Sequence, residues 1–214
     1  YNLYSATLSP TESKLYSLWE NHYKGISDTN IAMDQILQSD MSESKKLTSL
    51  GEMLFIRSFL YFELVQQFGK VPLVTEGSFE IRTDFKRAAI ADIYKQIITD
   101  LRTAVEYLPE KVDDSQKGKA TSYAASHLLA KVYLTRGSAV TDVRGQKATD
   151  MDSVLYFAEN VIKNSPYRLQ KNFADLWNID NMGNSEVIFA VQFTSNPIFN
   201  DDGNTFHLYW LPVY

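Results

Sequence analysis

Apolar positions along most of this chain recur every three to four residues, the period of a helix buried along one face. Leu15, Trp19, Tyr23, Ile26, Met33 and Ile36 mark a first helix over about Thr11 to Leu37, opened by Ser9-Pro10-Thr11-Glu12. A second, Glu43 to Phe68, carries two stripes: Leu54, Tyr61, Leu64, Val65 and Phe68 on one side, Phe55, Phe59 and Phe62 on another. A helix patterned this way needs cover on both sides, which places it inside a helical array. It stops at Gly69 and leaves through Val71-Pro72. A third helix, Ile90 to Leu108, aligns Ile93, Ile97, Leu101, Ala104 and Leu108, and Pro109 ends it. A fourth runs from Tyr123 to Thr135 with Gly137 as its expected C-terminal stop. A fifth, about Asp152 to Lys163, is expected to face Leu155, Ala158 and Ile162 inward.

The pattern changes at Glu186. Residues 186–193 are β-branched and aromatic between turn-forming neighbours, which predicts a strand. The remainder to Tyr214 reads as loop with many aromatics. Ser58 through Gly69 aligns on Ser126 through Gly137 at an offset of 68 residues, twice the ~34-residue tetratricopeptide period. The loops at 70–88 and 138–150 are unequal, so the repeat is degenerate. The expected fold is mainly α: tetratricopeptide-like antiparallel helix pairs in a right-handed α-α superhelix, with one or two short strands and an irregular C-terminal segment. The expected division is a helical core over 1–177, then a strand and the start of an irregular region over 178–214.

Composition narrows the function. A chain of 214 residues with 44% apolar content can bury a sizeable core. A net charge of −5 lacks the basic footprint that nucleic acid requires. The absence of cysteine removes disulfides, thiolate metal sites and cysteine nucleophiles. No metal-binding histidine pair or phosphate-binding glycine loop occurs, and no carboxylate pair stands out for acid–base work, so no catalytic residue, metal site or cofactor is expected. His127 is expected to be a partly buried, hydrogen-bonded packing residue. Arg57, set among Phe55, Ile56, Phe59 and Leu60, must find a partner, because an unpaired buried charge is costly; Asp100 and Glu63 are the candidates.

Phe199, Asn200, Asp202, Asn204, His207, Tyr209 and Trp210 mix aromatic faces with short amides and carboxylates. Sugar rings stack their C–H faces on aromatics and present hydroxyls to such partners, so these residues are the candidate ligand contacts. The other reading of the same segment is an aromatic stretch packed beneath further parts of a longer protein.

Several spacings together resemble one family. They are Trp19-x3-Tyr23-x2-Ile26-x3-Asn30, Arg57-x3-Tyr61-Phe-x-Leu64-Val-x2-Phe68-Gly69-x-Val71-Pro72-Leu73, and Ile93-Tyr94-x2-Ile97-x2-Asp100-Leu101-x2-Ala104-x3-Leu108-Pro109. Gly118-Lys119-Ala120-Thr121, the Leu128 to Leu134 run, Phe173-x2-Leu176-Trp177 and Glu186-x-Ile188-Phe189 continue the series. In this order they resemble the SusD/RagB nutrient-binding lipoproteins of the Bacteroidetes outer membrane. Ser58 stands where that family usually has alanine, and Trp177 where phenylalanine is usual.

The resemblance implies a surface-exposed lipoprotein of the cell outer membrane, without catalysis. It implies capture of a glycan, or in some relatives a peptide, for a SusC-like TonB-dependent transporter, and membrane contact only through an N-terminal lipid anchor not present in this chain. It also implies that the chain, which starts Tyr1-Asn2-Leu3-Tyr4, is part of a longer protein. Arg57, Trp19, Gly69 and Pro72 are expected to be structural. The competing expectation is a helical-repeat scaffold that grips a peptide or protein without sugar affinity.

Overall fold

The computed structural model of the chain describes residues 13–80, 82–181 and 183–192. Five long helices follow in order: α1 (Ser13–Gln38), α2 (Glu43–Phe68), α3 (Ile90–Tyr107), α4 (Ser122–Gly137) and α5 (Asp150–Asn164), then a single turn, α6 (Phe173–Leu176). Each of α1 to α4 packs on the helix that follows it, and α2 also touches α4. The fold is therefore a run of consecutive helix pairs, mainly α as the periodicity predicts.

The core sits where α2, α3 and α4 meet. The five stripe residues, Ile93, Ile97, Leu101 and Ala104 of α3 and Leu108 capping its end, are all buried, against Phe55, Tyr61, Phe62 and Leu64 of α2 and Ala125, Leu129 and Val132 of α4. Each large aliphatic side chain so placed contributes about 1.5–3 kcal/mol relative to exposure. α4 is buried on most of its circumference, and its N-terminus is capped by Thr121, whose Oγ1 accepts from the Ala124 amide at 3.2 Å.

Four expectations need correction. Leu155 and Ile162 are 61% and 70% exposed; the inward face of α5 is Phe157 and Val161, with Val154 and Ala158 partly covered. Two apolar stripes share Ala158, and the aromatic one wins because Phe157 stacks on Tyr133, ring centroids 6.0 Å apart. Residues 186–192 form no strand, since no strand lies beside them among the described residues to complete a ladder; Phe189 instead meets Phe55 edge-on at 5.0 Å. Gly137 is the last residue of α4 rather than its stop, and a Cβ there would approach the Asp150 Cβ at 2.8 Å. Phe59 and Ile56 lie on a narrow exposed ridge of α2, so that helix is enclosed on all but one edge.

Candidate functional site

α1, α2 and α3 contribute polar side chains to one buried chain of hydrogen bonds. Arg57 on α2 is 5% exposed and Asp100 on α3 is 4% exposed. The guanidinium meets the carboxylate in a fork, Nε to Oδ2 at 2.8 Å and Nη2 to Oδ1 at 2.9 Å. Gln96 donates to the same carboxylate at 2.8 Å. Arg57 Nη1 donates to Asn30 Oδ1 at 2.8 Å and to the Thr75 carbonyl at 3.0 Å. The partner is thus Asp100, one of the two candidates read from the sequence, and the buried charge is paired.

The network ends on the loop that leaves α2. Gly69, at φ +68°, turns the chain out of the helix in a conformation that L side chains avoid. Val71 and Ala88 pair at the loop base, Ala88 N to Val71 O at 2.9 Å, next to an antiparallel bridge between Pro72 and Arg87. Tyr23 donates to the Pro72 carbonyl at 2.7 Å. Asn30 Nδ2 donates to the carbonyls of Val74 and Glu76 at 3.1 and 3.4 Å. The Tyr61 hydroxyl donates to the Val74 carbonyl at 2.9 Å and accepts from the Val74 amide at 2.7 Å. Burial, with Tyr61 nearby, pushes the Tyr23 hydroxyl far above its usual range, and burial pushes Tyr61 up to about 12, so both stay protonated donors. Trp19 supports this corner from α1, edge-on to Phe68 at 5.1 Å and tilted against Tyr23 at 4.9 Å. Trp19, Arg57, Gly69 and Pro72 therefore converge on one feature, the anchoring of residues 72–76.

Against this anchored stretch lies a cleft of about 300 Å³. It is lined by Tyr23, Ile26 and Ser27 of α1 and by Val74, Glu76, Ser78, Glu80, Arg82 and Phe85 of the loop. Phe85 is exposed, with the Arg82 guanidinium 5.1 Å from its ring centre. Arg82 also holds Asp84, whose carboxyl its hydrogen bond and charge keep below the usual range. Aromatic face, carboxylates, hydroxyls and a guanidinium in one opening give both apolar contact and directional hydrogen bonding.

A second concavity, about 630 Å³, runs along the exposed ridge of α2. Phe55, Ile56, Phe59 and Leu60 floor it, and residues 115–119 and 189–192 wall it; its lining is mostly apolar. His127 opens onto an adjoining hollow with Phe59 and Lys131. It is exposed rather than buried in packing, and its pKa is lowered by partial desolvation and by Lys131.

The candidate contacts Phe199, Asn200, Asp202, Asn204, His207, Tyr209 and Trp210 lie outside the described residues. On its sequence pattern the 70–88 loop reads only as a connection between α2 and α3. A signal was present: it is long for a connection within a helical array, and long loops are usually functional. It also carries Phe79 and Phe85 among charged residues.

The sequence model of the SusD-like family, described as starch-binding and associating with the outer membrane, matches residues 2–134. The chain belongs to the SusD-like family. A SusD-like protein of Bacteroides ovatus is 29% identical over 186 residues, covering 85% of this chain and 33% of that protein. A solved structure with a xylogluco-oligosaccharide is 28% identical at TM-score 0.79, covering 88% of this chain and 37% of the other. A laminarin-binding SusD-like protein is 29% identical at TM-score 0.71, covering 81% and 36%. The chain spans about a third of the length of the relatives it matches. The anchored loop and its cleft lie within the family-matched part of this SusD-like chain.

Proposed function

We propose that the protein of which this chain is part binds a glycan without catalysis at the cell surface and delivers it to a SusC-like TonB-dependent transporter, held at the outer membrane by an N-terminal lipid anchor. The observation that carries the proposal is the cleft between α1 and the 74–85 loop, where Phe85 offers a ring face beside Glu76, Glu80, Ser27, Ser78 and Arg82. Relatives that bind xylogluco-oligosaccharide and laminarin support the ligand class. Phe199, Asn200, Asp202, Asn204, His207, Tyr209 and Trp210 are proposed as further sugar contacts on their chemistry alone.

Titration calorimetry of the full-length protein against soluble starch, laminarin and xyloglucan tests the reading. Phe85→Ala is expected to weaken the bound glycan about tenfold, or about 1.4 kcal/mol. Binding to none of the three, alongside binding to apolar peptides, would overturn it. The apolar concavity with exposed Ile56 and Phe59 favours that second reading, a peptide-gripping helical scaffold. Transporter delivery is tested by co-purification of the protein with its SusC-like partner from outer membranes.

A further inference from the structure

The two sides of the 72–87 loop are held very differently. Residues 72–76 are bound to helices by the side chains of Tyr23, Asn30, Arg57 and Tyr61. Gly77 continues this limb against α1, where a Cβ would stand 3.1 Å from the Ile31 backbone. The hydrogen bonds described for 78–86 are internal, Ser78 with Glu80 and Arg82 with Asp84. The cleft therefore has one wall fixed by helices and one that depends on the first for its position.

Asn30 is the link between the ion pair and the fixed wall. It is 1% exposed and does not line the cleft. Arg57 offers only donors, so Asn30 must turn its oxygen toward the guanidinium, and this aims its NH2 at the carbonyls of Val74 and Glu76. The opposite amide orientation would set donor against donor and oxygen against two carbonyl oxygens. Asp100 in turn fixes Arg57 through the fork. We propose that Asn30, oriented by Arg57 and Asp100, is the positioning residue of the cleft, setting ligand affinity by fixing the wall at 74–76 without touching the ligand.

The inference rests on the glycan reading above, and its test separates the two. Asn30→Asp in the full-length protein keeps shape and an acceptor facing Arg57, but replaces both loop donors with oxygen. Amide hydrogen exchange over 72–78 is expected to quicken tenfold or more, with exchange in α3 and α5 unchanged. Affinity for whichever of soluble starch, laminarin or xyloglucan the wild type binds is expected to fall at least tenfold. Gly77→Val, which presses the limb off α1 and leaves the polar chain intact, is expected to give the same two changes. Phe85→Ala is expected to lower affinity with exchange over 72–78 unaltered. Unchanged exchange in Asn30→Asp, or faster exchange in both variants with unchanged affinity, would overturn the proposal. If the wild type binds none of the three glycans, the glycan reading falls, while the exchange result still decides whether Asn30 holds the wall.

Discussion

Replacing Arg57 by methionine removes the charge and keeps much of the volume, so its cost measures the buried network. The substitution deletes four hydrogen bonds, two to Asp100, one to Asn30 and one to Thr75. Asp100 is left as a buried carboxylate with Gln96 as its remaining side-chain donor. Breaking one side of such a pair costs about 3–5 kcal/mol. The Asn30 oxygen and Thr75 carbonyl also lose a donor, at about 1–3 kcal/mol for each that stays dry. Arg57→Met is therefore expected to destabilise by about 4 kcal/mol, against about 5–15 kcal/mol for a whole protein. At a urea slope of about 2–3 kcal/mol/M the midpoint falls by about 1.5 M. Asp100→Leu is expected to cost a similar amount. The double variant removes both charges together, leaves the Asn30 and Thr75 acceptors short of a donor, and is expected to lose only about 1–3 kcal/mol. Equilibrium urea unfolding of the four proteins closes the cycle. A cost below about 1 kcal/mol for Arg57→Met, or a double variant equal to the sum of the singles, would refute the reasoning.

Two further outcomes follow from other buried polar groups. Ser126 is fully buried with no hydrogen-bond partner for its hydroxyl, so Ser126→Ala is expected to leave stability to urea unchanged or raise it by up to about 1 kcal/mol. Burial pushes the Asp150 carboxyl up, but the hydrogen bonds from Arg136 and the Lys147 amide, with the charges of Arg136 and Lys147, bring it below its ordinary 3.8. Its contribution is therefore complete above about pH 4 and lost as the pH falls through the lower folded value. Urea midpoints measured from pH 7 to pH 2 are expected to fall less steeply below pH 4 in Asp150→Asn than in the wild type.

Legibility in the sequence followed how local the cause was. The bounds of α2 and the buried face of α3 were readable because periodicity and the Gly69 and Pro109 stops lie within each segment. The pairing of Arg57 was readable in kind, since a cation on an enclosed helix must meet an anion, and Asp100 lies beside the buried stripe of α3. The inward face of α5 was not. Leu155-Ala158-Ile162 and Val154-Phe157-Ala158-Val161 are both apolar stripes, and only the ring of Tyr133 on another helix decides between them. Residues 186–192 failed as a strand for the same reason, because β-branched content cannot supply a partner strand. The cleft was least legible of all. Its fixed wall is held by its carbonyl groups, which every residue has, and their donors come from helices up to 49 positions away.

That last point gives a physical cause for the spacing of these donors along the chain. Tyr23, Asn30, Arg57, Tyr61 and Asp100 look unrelated along the chain, spread over three helices. Tyr23 and Asn30 stand seven apart on α1, two turns along one face. Arg57 and Tyr61 stand four apart on α2, one turn along one face. Both faces turn toward the same 72–76 stretch, and Asp100 reaches it through Arg57. Moving any of the first four by one position swings its side chain about 100° around the helix and away from its carbonyl. The motif is thus the set of donors needed to hold a short irregular stretch with few backbone bonds of its own. Hence the exit Phe68-Gly69-Lys70-Val71-Pro72-Leu73 is more than a helix stop: it leads the chain into the carbonyls that these donors hold.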